Sequence, residues 1–214
     1  MKIQRWIVNS LFTHQCLWCK LSITAEKTLC NACDLALPFY RDTPLLPALD
    51  DIQVLFRYEP PISHWITQFK FNGNLSFIRF FTQHWIKKIA ALPRLPTRIL
   101  PVPLHPKRLK MRGFNQALEI AKPIGKFFNI PIDTQSCIKI KGTSAQSELT
   151  RAMRVKNLKN AFALTRDLAG EHVVILDDVL TTGTTLSTIA ELLRFSGVSK
   201  VSAWCCAKVV LTNA

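Results

Sequence analysis

The amino-acid sequence predicts an α/β protein: a mostly parallel β-sheet flanked by helices, preceded by a small metal-binding knuckle. Three observations predict it. Strand-like and helix-like patterns alternate from residue 98 onward. The later strand candidates are apolar throughout, as strands covered on both faces must be. Four cysteines stand in two C-x-x-C pairs before residue 34. The chain has 214 residues, 48% of them hydrophobic and 20% charged, which supports a packed core and excludes wholesale disorder. Residues 1–50 are expected to form the knuckle and a linker, and residues 51–214 the sheet domain.

Met1 to Phe12 has a basic head, but its apolar run is broken by Asn9 and Ser10 and no small-x-small site precedes Cys16. An amphipathic first helix fits better than a signal peptide. Cys16-Leu17-Trp18-Cys19 and Cys30-Asn31-Ala32-Cys33 follow, ten residues apart. Each two-residue spacer brings a pair of sulfurs together on a tight turn, and two such turns supply the four ligands of tetrahedral zinc. Four thiolates close the coordination sphere, so Cys16, Cys19, Cys30 and Cys33 are read as a structural Zn2+ site. A redox dithiol would explain one pair and not two. The knuckle has too little apolar mass to fold on burial alone, so the metal would supply folding energy. Seven cysteines are too sparse, and odd in number, for a secreted disulfide scaffold. A cytosolic location is expected.

Pro38, Pro44 and Pro47 make residues 37–51 a linker without helix. Ile52 to Tyr58 reads as a strand. Ile62 to Phe71 and Ser76 to Ala91 have helical spacing, the second with Phe77, Phe80, Phe81, Trp85 and Ile89 on one face. Arg98 to Val102 reads as a strand, then Gly113 to Phe128 as a helix with Ala117, Ile120, Ala121 and Ile124 inward. Next come a strand near Thr134 to Ile140, a polar loop and a helix at Leu149 to Leu158. His172 to Leu176 is a continuous apolar strand, Thr185 to Phe195 a helix closed by Gly197, and Lys200 to Ala207 a buried strand. Cys205 and Cys206 lie in that last apolar run and read, with Cys137, as small buried hydrophobes.

The most informative segment runs from Val173 to Thr185: four apolar residues, Asp177-Asp178, Val179-Leu180, then Thr181-Thr182-Gly183-Thr184-Thr185. A helix start presents free N–H groups and a positive dipole end, and so holds a phosphate without basic side chains. Gly183 permits the tight turn. The threonines add hydroxyl donors, and one is expected to cap the helix. Asp177 and Asp178 can accept from vicinal sugar hydroxyls or hold a hydrated divalent ion. A plain strand end with a threonine cap explains the threonines, but not two adjacent carboxylates, which repel each other without a counter-ion. Together these parts suit a phosphorylated ribose at the carboxyl edge of a parallel sheet. No Walker A loop occurs, which argues against an ATP motor.

Lys and Arg number 28 against 14 Asp and Glu, giving a net charge of +14. Residues 99–160 carry +9 of it, whereas residues 161–214 are at −1. A stretch so basic calls for an anionic partner. No apolar run approaches the ~20 residues of a membrane helix.

Residues 173–185 resemble the phosphoribosyl pyrophosphate (PRPP) motif of type I phosphoribosyltransferases. Arg112-Gly113-Phe114-Asn115-Gln116, following Pro101-Val102-Pro103-Leu104, resembles the signature of the ComF family (competence protein F, GntX-type). So does Gln146-Ser147-Glu148-Leu149, continuing through Arg151, Arg154 and Asn157 to Ala161-Phe162. Members of that family also begin with a four-cysteine zinc knuckle, so the resemblance extends from Cys16 to about Ala207.

The resemblance implies a type I phosphoribosyltransferase fold. Asp177 and Asp178 would be the catalytic-site acids on the ribose 2′- and 3′-hydroxyls, and Thr181, Thr182, Gly183, Thr184 and Thr185 would hold the 5′-phosphate. The loop Val102 to Arg112 would grip the pyrophosphate with Mg2+, through Lys107, Arg108 and Arg112. Lys139, Lys141 and the loop Gly142 to Gln146 stand where those enzymes have a mobile catalytic loop. Surplus bases, Lys110, Arg112, Lys139, Lys141, Arg151 and Arg154, are assigned to a nucleic-acid backbone. Phe114, Phe69 and Phe71 are candidates for stacking on bases, with core packing the alternative.

No segment resembles the hood that reads a purine or pyrimidine in known members of the fold. The implied function is a cytosolic competence protein with a PRPP-type pocket that binds single-stranded DNA in natural transformation. A competence helicase or the DNA-uptake machinery would be a further partner. The alternative is an active phosphoribosyltransferase, a pentosyl transferase acting with Mg-PRPP on a nucleobase-like acceptor.

Overall fold

Four parallel strands order the molecule, and two of them explain the apolar runs of the sequence. The computed structural model describes residues 14–72, 75–140 and 161–210. The sheet order is β3 (Asp51–Arg57), β8 (Lys200–Lys208), β7 (His172–Leu180), β4 (Arg98–Pro101), every neighbouring pair parallel. In the two central strands alternate side chains enter different cores. Val174, Leu176, Trp204 and Cys206 face one cluster, while Val173, Ile175, Val201, Ala203 and Cys205 face the other. A strand buried on both sides leaves little room for a polar residue, hence the apolar runs; Ser202, buried in β8, has the ring Nε2 of His172 as its partner at 2.9 Å.

The first cluster is closed by α3 (Leu75–Ile89) and α5 (Gln116–Phe128), and the second by α6 (Thr184–Phe195). Phe77, Phe80, Phe81, Trp85 and Ile89 are all buried, as their spacing predicts. Trp85 stacks on Trp204 with ring centroids 5.5 Å apart and donates its indole N–H to Cys206 Sγ at 3.4 Å. Cys137, Cys205 and Cys206 are buried, and burial pushes the Cys137 thiol up to about 12. Helix α2 (Ile62–Asn72) precedes α3 and contributes Ile62, Trp65, Ile66 and Phe69 to the same core.

Three expectations are corrected. The segment before Gly113 is not a loop: Pro106–Arg112 forms a helix, α4, with Pro106 in its first turn and His105 Nδ1 accepting from the Lys107 N–H. Gly113, at φ +79°, ends that helix, so α5 begins three residues later than expected, capped by Asn115. The strand expected over Thr134–Ile140 shrinks to β5 (Cys137–Lys139), because Asp133 accepts the N–H groups of Gln135 and Ser136 and holds the preceding residues in a turn. Strand β5 pairs antiparallel with β6 (Phe162–Leu164), apart from the main sheet. The predicted first helix, the helix at Leu149–Leu158 and the motif from Gln146 lie outside the described residues.

In the knuckle, β1 (His14–Gln15) and β2 (Ser22–Ile23) pair around the first C-x-x-C, and Cys30 stands at the start of the short helix α1 (Asn31–Leu35). It docks on α3: Gln83 donates to Glu26 O at 2.7 Å and accepts from Thr28 Oγ1 at 2.9 Å, and His84 Nε2 lies 3.0 Å from Asp34 Oδ1. Trp18 meets Trp65 edge-on at 6.3 Å. The proline-rich segment runs beside β3, with Tyr40 N–H donating to Leu55 O and Arg57 N–H to Pro38 O.

Candidate functional site

Strand β7 does not stop at Leu176 as expected; it carries Asp177 and Asp178 within its ladder and ends at Leu180, opposite Lys208 of β8. Both carboxylates are half-buried at the carboxyl edge of the sheet. Asp178 has a counter-ion that sequence reasoning missed: Lys70 Nζ of α2 lies 3.1 Å from its Oδ2. The only signal in the sequence was a single Lys closing an otherwise uncharged helix. Burial and the neighbouring Asp178 push the Asp177 carboxyl up to about 7, with Lys70 and Lys139 pulling the other way.

The motif Arg112 to Gln116 builds the support. Gly113 takes the left-handed conformation, and Asn115 accepts from the N–H groups of Ala117 and Leu118 while donating to Val102 O at 3.0 Å. The buried Gln116 amide reaches Lys70 O at 3.5 Å and accepts from Arg112 Nη1 at 3.3 Å. The motif thus ties the backbone that carries Lys70 to the start of α5.

Beyond Leu180 the chain bends. Thr181, Thr182 and Thr184 are exposed and Gly183 is buried. Gly183 has φ +81°, and a Cβ there would lie 2.6 Å from Leu46 Cδ1. Gly183, and not a threonine, is the N-cap of α6, and the side-chain contact to its first N–H comes from one residue earlier, where Thr182 Oγ1 accepts from Thr184 N–H at 3.5 Å. The same hydroxyl also pairs locally, with Thr182 Oγ1 3.0 Å from Thr184 Oγ1. The first N–H groups of a helix have no partner within it, so this open bend offers donors to an anion.

The cations divide. Val102 N–H donates to Leu176 O, so α4 leaves from the edge that bears the acids. Its Lys107, Arg108 and Lys110 are exposed, while Arg112 is half-buried against Gln116. Lys139 Nζ sits 5.1 Å from the centre of the Phe162 ring. Lys141, Arg151 and Arg154 lie outside the described residues. Phe69 is a core residue, and Phe114 packs against it at 5.6 Å.

Against this geometry stand the comparisons. Residues 116–209 match the family model described as "Phosphoribosyl transferase domain". Over 200 residues the chain is 33% identical to the "DNA utilization protein YhgH" of Escherichia coli (strain K12), spanning 89% of this chain and 88% of the relative. It is also 33% identical to "Competence protein F" of Haemophilus influenzae, over 74% of this chain and 72% of that one. This chain belongs to the ComF family. "Competence protein ComFC" of Bacillus subtilis is 25% identical over 79% of this chain and 67% of its own. The parallel sheet flanked by helices in this ComF-family protein is the type I phosphoribosyltransferase fold.

A second candidate site in the ComF-family chain is the knuckle itself. The sulfurs of Cys16, Cys19, Cys30 and Cys33 lie within 4.8 Å of one another, close enough to share one metal ion. All four are free thiols. Burial opposes ionisation of Cys16, but the backbone N–H groups of Cys30, Cys19 and Trp18 outweigh it and bring the thiol down to about 6. Four sulfurs gathered this closely fit a soft, tetrahedral ion. Among the described residues no helix is long and apolar enough to cross a membrane.

Proposed function

We propose that this chain is a competence-type, cytosolic DNA-handling protein: it holds a PRPP-class ligand at the β7 edge and binds single-stranded DNA along its basic middle. The observation that carries the reading is the solvent-open bend after β7, which sets half-buried paired acids beside exposed hydroxyls and a helix start. Asp177 and Asp178 would receive the ribose hydroxyls, Thr181 to Thr185 the 5′-phosphate, and Lys107 and Arg108 the pyrophosphate; Arg112 would act chiefly through Gln116. Mg2+, when bound with the ligand, would neutralise pyrophosphate charge; hard carboxylate and hydroxyl oxygens are donors that suit it. Lys110 and Lys139, with Lys141, Arg151 and Arg154, are assigned to the DNA backbone. Zn2+ is proposed for the knuckle. Residues 1–50 would form the knuckle-and-linker unit and residues 51–214 the phosphoribosyltransferase-like unit. The names of the relatives, DNA utilization and competence, support the same reading, with a helicase or the uptake machinery as partner.

Titration calorimetry with Mg-PRPP tests the pocket. Wild-type protein should bind, and the D177N/D178N variant should lose binding while keeping its circular dichroism. Unchanged affinity would overturn the placement of the ribose. The match to a phosphoribosyl transferase domain favours one alternative, active transfer, in which an acceptor nitrogen bonds to ribose C1 as the C1–pyrophosphate bond breaks. Pyrophosphate release in step with nucleotide formation, on a panel of bases, would decide for it.

A further inference from the structure

Beside the candidate ligand site a cavity of about 420 Å³ opens between α4, the start of α5 and β5. Its volume falls within the range of small-molecule pockets, about 300–1,000 Å³. Pro103, Leu104, Leu109, Phe114 and Ile138 give it apolar walls. Leu109 is 43% exposed and Ile138 37%, so the walls leave large side chains in water. Apolar surface that lines a concavity and stays wet marks a binding site more than a packing fault. Phe114 is a firm wall, since its ring rests on the buried Phe69.

The rim has the opposite character. Lys139 lines the opening, and the wall formed by Pro106 and Leu109 belongs to the helix that carries exposed Lys107, Arg108 and Lys110. Glu119 is the acid of the lining, and its carboxylate lies 2.6 Å from Lys122 Nζ. An apolar slot with a cationic rim matches a ligand whose flat, weakly polar parts alternate with single negative charges along a chain. Single-stranded nucleic acid has that pattern. The Asn115 amide of the lining is already committed to Val102 O and to the α5 N–H groups, which leaves few polar side chains, Thr134 and Lys139 among them, for hydrogen-bond readout.

We infer that this cavity is a nucleobase slot for single-stranded DNA, in which a base enters between Leu104, Leu109, Phe114 and Ile138 while its flanking phosphates pair with Lys139 and Lys110. It rests on the DNA-binding reading above and adds to it where a base is held and why the grip is indifferent to sequence. Fluorescence anisotropy with oligothymidylate and an abasic strand of equal length, at one salt concentration, tests it. Wild-type protein should bind the thymidylate about tenfold more tightly, the effect of one stacked base. The I138W variant, which fills the slot, should reduce that preference to near unity. L109N, on the exposed face of α4, serves as a second variant should I138W fail to fold, and should also weaken the preference. Equal wild-type affinity for the two strands would overturn the slot and leave DNA binding standing; no binding to either would overturn both. A preference that survives in I138W and L109N alike would overturn this location.

Discussion

Asp177 is a residue whose burial works against stability. Its carboxyl titrates near 7 in the folded chain, against about 3.9 for an unfolded one, because burial and Asp178 disfavour its charge. The folded state therefore binds a proton the unfolded state has released. Stability falls as pH rises between about 4 and 7, and the whole cost is present above 7. D177N should raise the melting temperature at pH 8 by several degrees, and the gap should close toward pH 4; a thermal melt at the two pH values measures it. Lys70 is the residue that moderates this cost. K70M should destabilise the chain at pH 7, and pairing it with D178N should recover about 1 kcal/mol or more in a double-mutant cycle of urea melts, as for a half-buried ion pair. Lys70 and Asp178 are 108 positions apart, and nothing local in either segment points to the other. The acids were legible from their place after an apolar strand; their counter-ion was not.

At the scale of the element, what could be read depended on burial. Strands β7 and β8 announced themselves because both faces are enclosed, and α3 and α5 because each shows one apolar stripe. Helix α4 has no buried residue and therefore no stripe, so only its end signals, Pro106 and Gly113, were available. Strand β6 has three residues, too few for a period to show. The bend after β7 was recognised by its composition, but its cap was assigned to a threonine, because the segment that settles the matter comes from far away: Leu46 lies where a Gly183 side chain would go. G183A combines a strained positive φ with that clash and should cost about 1–3 kcal/mol in a urea melt. Adding L46A should relieve the clash but not the backbone strain, so part of the loss should persist.

Across the whole molecule, charge is unevenly distributed. Among the described residues, Lys107, Arg108, Lys110 and Arg112 lie on α4, which leaves from the carboxyl edge of the sheet, whereas residues 161–214, which supply the central strands, bring a slight acidic excess. If α4 meets a DNA backbone, the salt dependence of binding should report every phosphate it neutralises. K110A should flatten the log–log slope by about 0.7 for the phosphate left without its lysine, with little change in stability, since Lys110 is exposed. The same scale shows why the knuckle was easy to read and its attachment was not. Its four cysteines follow a spacing, while its docking on α3 uses Thr28, Asp34, Gln83 and His84, joined only by the fold.

That docking gives the protein a built-in optical gauge. Trp18 lies inside the first C-x-x-C turn and leans on Trp65, which belongs to the core. Stripping the ion with a strong chelator should let the turn drift away, lower the melting temperature and red-shift the indole emission, all recovered when zinc is restored. An emission spectrum indifferent to chelation would mean that the four sulfurs keep their places without a metal.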